Sequence, residues 1–527
     1  MLDLPARTSN GHGGWASFRD DHIFVMTVGA LIRHHALDHG AQPAFLTANS
    51  VTTWVDYDDG ADRVAGCLLA AGVERSDRVA VVMPDSPGVH ATFVGCERIG
   101  AVVVGIGYRA GLMEIEHLLA KTGASVLVTQ RGGRPDLSMT SADVQSVVLP
   151  VDLRTLSEVP VPSGRALGAN DLFLINSTSG TTGLPKCVMH SEARWLAYHP
   201  WAVEAGSLTD RDVFFSAIPT PFGFGLWTAH FSPAILGCPT VLSEKFEAGQ
   251  ALDLIEKHRV TVLACVSTQF VMMLNEQLLR PRDVSSLRCM FTGGEAVPYA
   301  KAAAFEEEFD ATVLQFYGSN ETGALSRTTV SDPRERRLRT AGRVLEEMQV
   351  RLFDPAGNDI TGERRPGIPG CRGPATCLGY YADEEANAKL MTPDGWMLMG
   401  DIVEIDGDGY LTVVGRTSDF IIRGGKNISA TAVEDEVATH PGVVLAAAVA
   451  MEDEVFGEKV CVYVEVRPGW ENLTLGALTD HLTMRGVTKE WLPERLIVVE
   501  SLPRSSGGKV AKGALRNDMR TRPESEK

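Results

Sequence analysis

The segment from Ser177 to Lys186 (STSGTTGLPK) is the stretch of this sequence best suited to hold phosphate groups. It contains five hydroxyl residues, two glycines and a lysine, and it follows a short run, 171–175, that predicts a strand. Hydroxyl and backbone N–H groups of such a loop can surround phosphate oxygens, and the lysine adds a positive charge. The segment is not a Walker A loop, because Pro185 stands where the second glycine of that motif belongs. Taken alone, it is also compatible with an ordinary turn between two elements.

Five further segments, found between residues 293 and 510, resemble in order the segments of one protein family. They are Gly293-Gly294-Glu295-Ala296, Tyr317–Gly323 (YGSNETG), Gly395-Trp396 with Gly400-Asp401, Gly415-Arg416 to Asp419 with Gly424-Gly425 and Ile428, and Leu502-Pro503-Arg504 to Gly508-Lys509-Val510. Together with STSGTTGLPK, they are similar to the segments of the ANL adenylate-forming superfamily. That superfamily comprises acyl- and aryl-CoA synthetases, adenylation domains of peptide synthetases, and luciferases. The resemblance implies an enzyme that activates a carboxylic acid with ATP.

The resemblance also implies where ATP binds. Thr181 is expected to act in catalysis on the phosphate segment, and the other phosphate-binding residues are expected to be Ser177, Thr178, Ser179, Gly180, Thr182, Gly183 and Lys186. Adenine is expected beside the glycine turn and the aromatic segment, with Tyr317 stacked on the ring and binding contributed by Gly293, Gly294, Glu295, Asn320 and Thr322. Asp401 is expected to accept both ribose hydroxyls, with Arg416 beside the ribose.

Two charged residues are expected to carry most of the chemistry. A carboxylate is already a nucleophile at neutral pH, so its attack on the α-phosphorus of ATP needs screening of negative charge but no general base. Glu321 suits Mg²⁺, which prefers one or two carboxylates together with phosphate oxygens. The resemblance implies that Lys509 bridges the substrate carboxylate and the α-phosphate. It also implies that Gly424 and Gly425 lie beside the pantetheine of coenzyme A.

Three positions depart from the pattern of the family. Asn320 stands where threonine is usual, although its amide can also donate to the α-phosphate. Ser418 stands at the hinge position that is commonly aspartate or lysine. Phe222, in the segment PTPFGFG, takes the place of a histidine beside the acyl pocket and gives that pocket an apolar, aromatic gate.

The acid pocket is expected to lie near this gate. Its bulky aromatic residues, together with one polar glutamine, favour a ring-bearing acid over a long, thin acyl chain. Ordinary core packing is the alternative interpretation for each aromatic residue and methionine. The expected lining residues are Phe222, Phe224, Trp227, Gln269, Met272 and Gly318.

The composition argues against several other classes of function. A net charge of −18 and a pI near 5.2 disfavour a nucleic-acid or anionic-membrane surface, because such partners need clustered Lys and Arg. No segment approaches the roughly 20 apolar residues that cross a bilayer. The nine cysteines are scattered, and the polar N-terminus lacks a signal-peptide pattern, which favours the cytoplasm. Gly105 and Gly107 lack the third glycine of a dinucleotide motif.

The order of apolar runs predicts an α/β fold with two domains. Up to about residue 415, short apolar runs alternate with amphipathic stretches, which predicts a large domain of packed α/β sheet layers with strands near 79–82, 101–104, 125–128 and 260–263. The rest of the chain predicts a small α+β domain, with a helix at 431–439 and strands at 443–450 and 459–466. The family resemblance implies that this domain is mobile and carries the catalytic lysine. We expect the boundary at Thr417-Ser418, which gives domains 1–417 and 418–527.

The interpretation that uses all of these residues is an AMP-forming acid–CoA ligase with two half-reactions. Acyl-AMP and pyrophosphate form first, and the CoA thiol then displaces AMP. Rotation of the small domain is expected to withdraw Lys509 between the steps and to bring the Gly424-Gly425 loop to the pantetheine channel. The alternatives are loading of a separate carrier protein, a fatty acid–CoA ligase, and a catalytically silent nucleotide-binding protein. The expected partners are the acid, ATP, Mg²⁺ and CoA, without nucleic acid, and a homodimer is compatible with the sequence.

Overall fold

The computed structural model describes residues 26–139, 144–178, 185–295, 297–416, 419–423, 426–453, 455–504 and 509–522. Across these residues, no helix combines the length and the apolar character needed to cross a membrane. The helices, numbered in chain order, are α1 (Val28–His39), α2 (Trp54–Ala70), α3 (Pro87–Ile99), α4 (Leu112–Thr122), α5 (Ala193–Gly206), α6 (Gly223–Gly225), α7 (Ser232–Leu236), α8 (Ala248–His258), α9 (Ser267–Leu279), α10 (Tyr299–Phe309), α11 (Arg334–Arg339), α12 (Glu384–Leu390), α13 (Ala430–Val437), α14 (Leu475–Met484) and α15 (Lys512–Thr521).

Strands lie between these helices along the whole described chain. In chain order they are β1 (Pro43–Leu46), β2 (Val51–Thr53), β3 (Arg78–Val82), β4 (Val102–Gly105), β5 (Val126–Gln130), β6 (Gln145–Leu149), β7 (Leu174–Ser177), β8 (Cys187–His190), β9 (Phe214–Ser216), β10 (Thr240–Val241), β11 (Val262–Ala264), β12 (Cys289–Gly293), β13 (Thr312–Ser319), β14 (Gly323–Arg327), β15 (Arg343–Val344), β16 (Arg351–Phe353), β17 (Ile368–Cys371), β18 (Gly379–Tyr380), β19 (Met397–Leu398), β20 (Asp401–Ile405), β21 (Leu411–Arg416), β22 (Phe420–Arg423), β23 (Lys426–Ser429), β24 (Val443–Asp453), β25 (Gly457–Val466) and β26 (Arg495–Val499).

Two large, mostly parallel sheets organise the longer part of the chain. One has nine strands in the order β15-β14-β13-β12-β11-β9-β10-β1-β2, and the other has seven in the order β18-β8-β7-β4-β3-β5-β6. Their central strands are buried on both faces, as parallel sheets covered by helices require. The apolar runs predicted as strands correspond to β3, β4, β5 and β11. The predicted packing of α/β layers is therefore confirmed.

Strand pairing brings the predicted segments toward one another. Strand β12 ends at Gly293 and its parallel neighbour β13 ends at Ser319, so the glycine turn and the YGSNETG segment leave the sheet at the same edge. Strand β7 pairs antiparallel with β8, and Thr178 N donates to the carbonyl of Lys186 over 3.1 Å. The described ends of the phosphate segment therefore lie side by side.

The C-terminal part of the chain has its own sheet. It runs in the order β23-β22-β25-β24, and β26 pairs parallel with β25. Alternation along β25 places Val462 and Val464 against Leu478 and Leu482 of α14, while Tyr463 packs in a different cluster. The predicted helix at 431–439 and the predicted strands at 443–450 and 459–466 correspond to α13, β24 and β25. The boundary at 417–418 lies outside the described residues and stays a prediction.

Candidate active site

A cavity of about 550 Å³ lies beside the C-terminal ends of β7, β12 and β13. Its wall is formed by residues between 177 and 416 and by Lys509 from the C-terminal part of the chain. The predicted site residues that line it are Ser177, Thr178, Phe222, Phe224, Trp227, Gly293, Gly294, Tyr317, Gly318, Asn320, Glu321, Asp401, Arg416 and Lys509. The fold thus gathers segments that are far apart in the sequence around a single space.

Asp401 is the centre of a polar cluster on one side of this cavity. It begins β20 and lies opposite Arg416 of β21, so the antiparallel pairing sets their side chains together. One carboxylate oxygen of Asp401 accepts from Nε of Arg416 over 3.0 Å, and the other accepts from the hydroxyl of Tyr317 over 2.9 Å. Each oxygen keeps a lone pair that can accept a further hydrogen bond. The buried carboxylate of Asp401 can therefore receive two neighbouring hydroxyl groups of a ligand.

Lys509 reaches the same cavity from the C-terminal part of the chain. Its Nζ donates to the carbonyl oxygen of Gly294 over 2.7 Å. Burial lowers the pKa of Lys509, and the nearby carboxylate of Glu295 opposes that shift. Gly294 has a φ of +78°, and a Cβ there would stand 2.8 Å from the ammonium nitrogen. A glycine at this position therefore leaves room for the lysine.

Glu321 lies near Lys186, the described C-terminal end of the phosphate segment, because Tyr380 contacts both residues. One of its carboxylate oxygens accepts from the hydroxyl of Tyr380 over 2.8 Å, and the side chain also lines the cavity. The exposed Lys186 stands above the ring of Tyr380, with its Nζ 4.7 Å from the ring centre. Among the described residues, the other oxygen of Glu321 has no hydrogen-bond partner and can contact a cation. Tyr380 was not among the predicted residues.

A largely buried polar network underlies the cavity, and of its residues only Asn320 was predicted for the site. The side-chain amide of Asn320 donates to Oδ1 of Asn176 over 2.7 Å, and Nε2 of His190 lies 2.8 Å from the same oxygen. Arg194 donates to Nδ1 of His190 and to the carbonyl oxygen of Asn320, the latter over 2.8 Å. Because arginine only donates, Nδ1 of His190 accepts and Nε2 carries the proton. Burial, together with the charge of Arg194, holds the pKa of His190 well below its ordinary value.

Aromatic side chains form the apolar end of the cavity. Trp227 is central to this group, with ring-centre distances of 4.8 Å to Tyr198, 5.1 Å to Phe316 and 5.5 Å to Phe224. Trp227 belongs to a π-helical segment, Leu226–Phe231, that follows α6. A π-helical turn is rare and often marks a functional site. The predicted Phe224 and Trp227 therefore lie together with two aromatic residues that were not predicted.

Gln269 and Met272 are not brought to this cavity. Gln269 lies in the first turn of α9, where its carbonyl oxygen accepts from Val266 N over 3.0 Å and its amide donates to Ala217 O over 2.6 Å. Both polar groups of the Gln269 side chain are therefore hydrogen-bonded to backbone atoms of the protein. Met272, one turn along, packs against a separate hydrophobic cluster.

Several other predicted residues support the site from its surroundings. Thr322 is fully buried, and its hydroxyl accepts from Ser319 N over 3.0 Å, which fixes the turn after β13. Glu295 accepts from Thr268 N over 3.3 Å at the start of α9 and faces Lys509. The remaining predicted residues lie outside the described part of the chain: Ser179, Gly180, Thr181, Thr182, Gly183, Ser418, Gly424 and Gly425.

Comparison with known proteins gives consistent matches over most of the chain. Residues 32–381 match the family model described as AMP-binding enzyme, and residues 432–509 match that of the AMP-binding enzyme C-terminal domain. A medium-chain fatty-acid–CoA ligase from Escherichia coli (strain K12) is 30% identical over 501 residues, which cover 89% of this chain and 86% of that protein. A salicylyl-CoA synthase / salicylate adenylyltransferase from a Streptomyces species is 31% identical over 533 residues, or 94% of each chain.

Solved structures share the same fold. The structure of an anthranilate CoA ligase in complex with anthranoyl-AMP superposes with a TM-score of 0.86, covering 95% of this chain and 98% of that one at 23% identity. The predicted α/β fold with a smaller C-terminal α+β part is therefore confirmed. Since both family models and full-length relatives match, the chain belongs to the AMP-binding enzymes, the adenylate-forming superfamily whose ordered segments its sequence resembles.

Proposed function

We propose that this enzyme is an ATP-dependent, AMP-forming carboxylic acid–CoA ligase that prefers acids carrying a ring. The observation that carries the proposal is the meeting of three features in one cavity: the ammonium of Lys509, the Asp401 cluster and the aromatic end around Trp227. The first feature suits a phosphate, the second suits a ribose, and the third suits the organic part of an acid. The similarity to a fatty-acid–CoA ligase and a salicylyl-CoA synthase supports the choice of acid and thiol as substrates.

In the first half-reaction, a carboxylate oxygen of the acid bonds to the α-phosphorus of ATP. The bond between that phosphorus and the oxygen bridging to the β-phosphate breaks, and pyrophosphate leaves with the electron pair. Asp401 holds the ribose, and Tyr317 flanks the adenine. Lys509 offsets the negative charge that accumulates on the α-phosphate and the carboxylate, which is the main barrier between two anions.

Mg²⁺ fits the chemistry of Glu321. This residue offers one free carboxylate oxygen on the cavity wall, and Mg²⁺ is commonly held by one or two carboxylates together with phosphate oxygens. When bound, the ion would neutralise part of the charge on the phosphates of ATP. Tyr380 would orient the carboxylate through the hydrogen bond that it already donates.

In the second half-reaction, the sulfur of CoA attacks the acyl carbon and AMP leaves. We propose that residues 418–527 act as a mobile domain that turns away from residues 1–417 between the two steps. Lys509 contributes to the first step from its contact with Gly294, so its withdrawal would free space for the thiol. The proposed location is the cytoplasm, which the scattered cysteines favour.

A screen for pyrophosphate release tests the proposal. Aromatic, alicyclic and fatty acids are each incubated with the protein, ATP and Mg²⁺, with and without CoA. We expect pyrophosphate release with several acids, fastest with ring-bearing ones, and an acyl-CoA product when CoA is present. Acid-dependent pyrophosphate exchange without a CoA thioester would instead favour loading of a carrier protein. Failure of every acid to support exchange would contradict the proposed activity.

Replacing Glu321 by glutamine is expected to weaken the use of Mg²⁺. The amide keeps the shape of the side chain but loses the charge, so we expect the Mg²⁺ concentration for half-maximal pyrophosphate exchange to rise about 100-fold, and about 10-fold for Tyr380→Phe. The measurement is a Mg²⁺ titration of the exchange rate at fixed ATP. Glu385→Gln, at an exposed glutamate, is the control. Equal Mg²⁺ requirements in Glu321→Gln and wild type would contradict the role of Glu321.

The first half-reaction is expected to lose rate at alkaline pH. Burial lowers the pKa of Lys509 from its ordinary value of 10.5, and only the protonated amine carries the required charge. The exchange rate should therefore fall as pH rises through this lowered pKa. Arginine stays protonated throughout this range, so in Lys509→Arg the alkaline decline should move to higher pH even if the rate is reduced. A decline at the same pH in both proteins would assign it to another group.

A further inference from the structure

We propose that Arg194 binds the carboxylate group of the acid and holds it at the point where the aromatic pocket meets the phosphates. This inference rests on the proposed acid–CoA ligase activity. It assigns to the reaction a residue that lies outside the segments from which the family was identified.

The position of Arg194 on its helix supports this role. Arg194 and Tyr198 are one turn apart on α5 and both line the cavity, as residues four positions apart on one helix face can. Tyr198 packs with Trp227 at the apolar end, whereas Arg194 contacts the carbonyl of Asn320, next to Glu321. An acid whose ring packs against Tyr198 would therefore present its carboxylate toward Arg194 and the phosphate side.

The hydrogen bonds of Arg194 leave the correct edge of its guanidinium free. Both protein acceptors, His190 Nδ1 and Asn320 O, are bound by the same terminal nitrogen, Nη1. Among the described residues, Nε and Nη2 have no hydrogen-bond partner, and this edge of the guanidinium matches the two oxygens of a carboxylate. The network through His190 and Asn176 fixes the orientation of the fork before a ligand arrives.

The charge of Arg194 has an aromatic neighbour, since its Cζ lies 5.1 Å from the ring centre of Trp195, but it has no ion-pair partner among the described residues. The residue is 6% exposed, and within the residues that the structure describes no carboxylate lies within 4.0 Å of its guanidinium. Burial lowers the pKa of Arg194 to about 10, so the group remains charged at neutral pH. Glu321, the carboxylate that faces it, is committed to Tyr380 and to the proposed Mg²⁺ site. A buried cation of this kind is costly unless a ligand supplies the opposing charge.

The guanidinium can serve both halves of the reaction. Before the first step, its free edge donates to both oxygens of the acid. One oxygen then bonds to the α-phosphorus as pyrophosphate leaves, and the other becomes the carbonyl oxygen of the acyl adenylate. Arg194 keeps its hydrogen bond to that carbonyl oxygen, which draws electron density from the acyl carbon that the thiol attacks. The guanidinium itself neither gains nor loses a proton, and the proton of the thiol is released to solvent as the thioester forms and AMP leaves.

The test compares Arg194→Lys and Arg194→Met with wild type in acid-dependent pyrophosphate exchange. Benzoate, salicylate, cyclohexanecarboxylate and octanoate are used as acids. We expect kcat/KM for every acid to fall about 10- to 100-fold in Arg194→Met, the range for losing a charge-assisted hydrogen bond, and less in Arg194→Lys. KM for ATP should change by less than about twofold, since the contact is to the acid.

A matched control separates this role from a contribution to folding. Arg98 is 9% exposed and pairs with Asp58 and Asp62, outside the residues that line the cavity. Arg98→Lys should lower the unfolding temperature without changing KM for the acid, whereas Arg194→Lys should change KM for the acid. If Arg194→Met does not fold, the values of KM for the acid in Arg194→Lys and Arg98→Lys decide between the two roles.

Three other outcomes would overturn the inference. Unchanged kcat/KM for all acids in the Arg194 variants would show that the guanidinium does not bind the substrate. A loss confined to salicylate would show that it recognises a ring substituent instead of the reacting carboxylate. Absence of exchange in the wild-type protein with every acid would refute the proposed function, and this inference with it.

Discussion

Replacing Lys509 by alanine is expected to reduce acyl-adenylate formation on the order of 1,000-fold, while thioester formation from supplied acyl adenylate stays close to the wild-type rate. The ammonium is the one contribution of residues 509–522 to the cavity, and it reaches the carbonyl of Gly294 over 2.7 Å. Its charge is needed where two anions approach each other. Once the acyl adenylate exists, an uncharged thioester forms and that screening is no longer required.

The two half-reactions are measured separately on the same protein preparation. Acid-dependent ATP–pyrophosphate exchange reports the first, and release of AMP from synthetic acyl adenylate with CoA reports the second. Lys489→Ala, at an exposed lysine of the same part of the chain, is the control and should leave both rates unchanged. An equal loss of both half-reactions in Lys509→Ala would contradict a role confined to adenylation.

Replacing Asp401 by asparagine is expected to lower kcat/KM for ATP about 100-fold, the effect of losing two charge-assisted hydrogen bonds in a buried site. The carboxylate now accepts from Tyr317 and Arg416 with separate oxygens and retains acceptor capacity on both. The amide offers only one accepting oxygen, so it cannot satisfy both neighbours and also receive two ribose hydroxyls. Tyr317→Phe removes only one neighbour and should have a smaller effect.

A deoxynucleotide distinguishes ribose recognition from a general loss of stability. Wild type should discriminate against 2′-deoxy-ATP, and this discrimination should largely disappear in Asp401→Asn, because the acceptor for the missing hydroxyl is already lost. Asp359→Asn, at an exposed aspartate that pairs with Arg351, is the control. Undiminished discrimination in Asp401→Asn would show that another group binds the ribose.

The sequence was informative where ordered segments resemble those of a known family and lie at the ends of paired strands. Asp401 and Arg416 are close in the chain, and the hairpin of β20 and β21 sets them opposite each other. The glycine turn and the YGSNETG segment each follow an apolar run, and the two runs became neighbouring parallel strands. The family resemblance predicted that these segments meet at one site, and the strand pairing gives the physical reason.

The residues that could not be predicted depend on contacts across long separations. Arg194 lies in the first turn of α5, a helix with no distinctive sequence pattern, and its partners include Asn320, 126 positions away. Tyr380, whose hydroxyl donates to Glu321, lies in a short strand that has no distinctive sequence pattern. Gln269 was expected in the acid pocket, whereas in the structure its side-chain amide bonds to the backbone of Val266 and Ala217 and it does not line the described cavity.

The central claim is that the carboxylate of an acid attacks the α-phosphorus of ATP in the cavity shared by Lys509 and Asp401. Transfer of ¹⁸O from a doubly labelled carboxylic acid tests it most directly. With ATP, Mg²⁺ and CoA present, the account predicts that the AMP released carries one ¹⁸O atom, because one carboxylate oxygen remains on the phosphorus when the thiol takes the acyl group. Label in pyrophosphate or inorganic phosphate, with none in AMP, would contradict it.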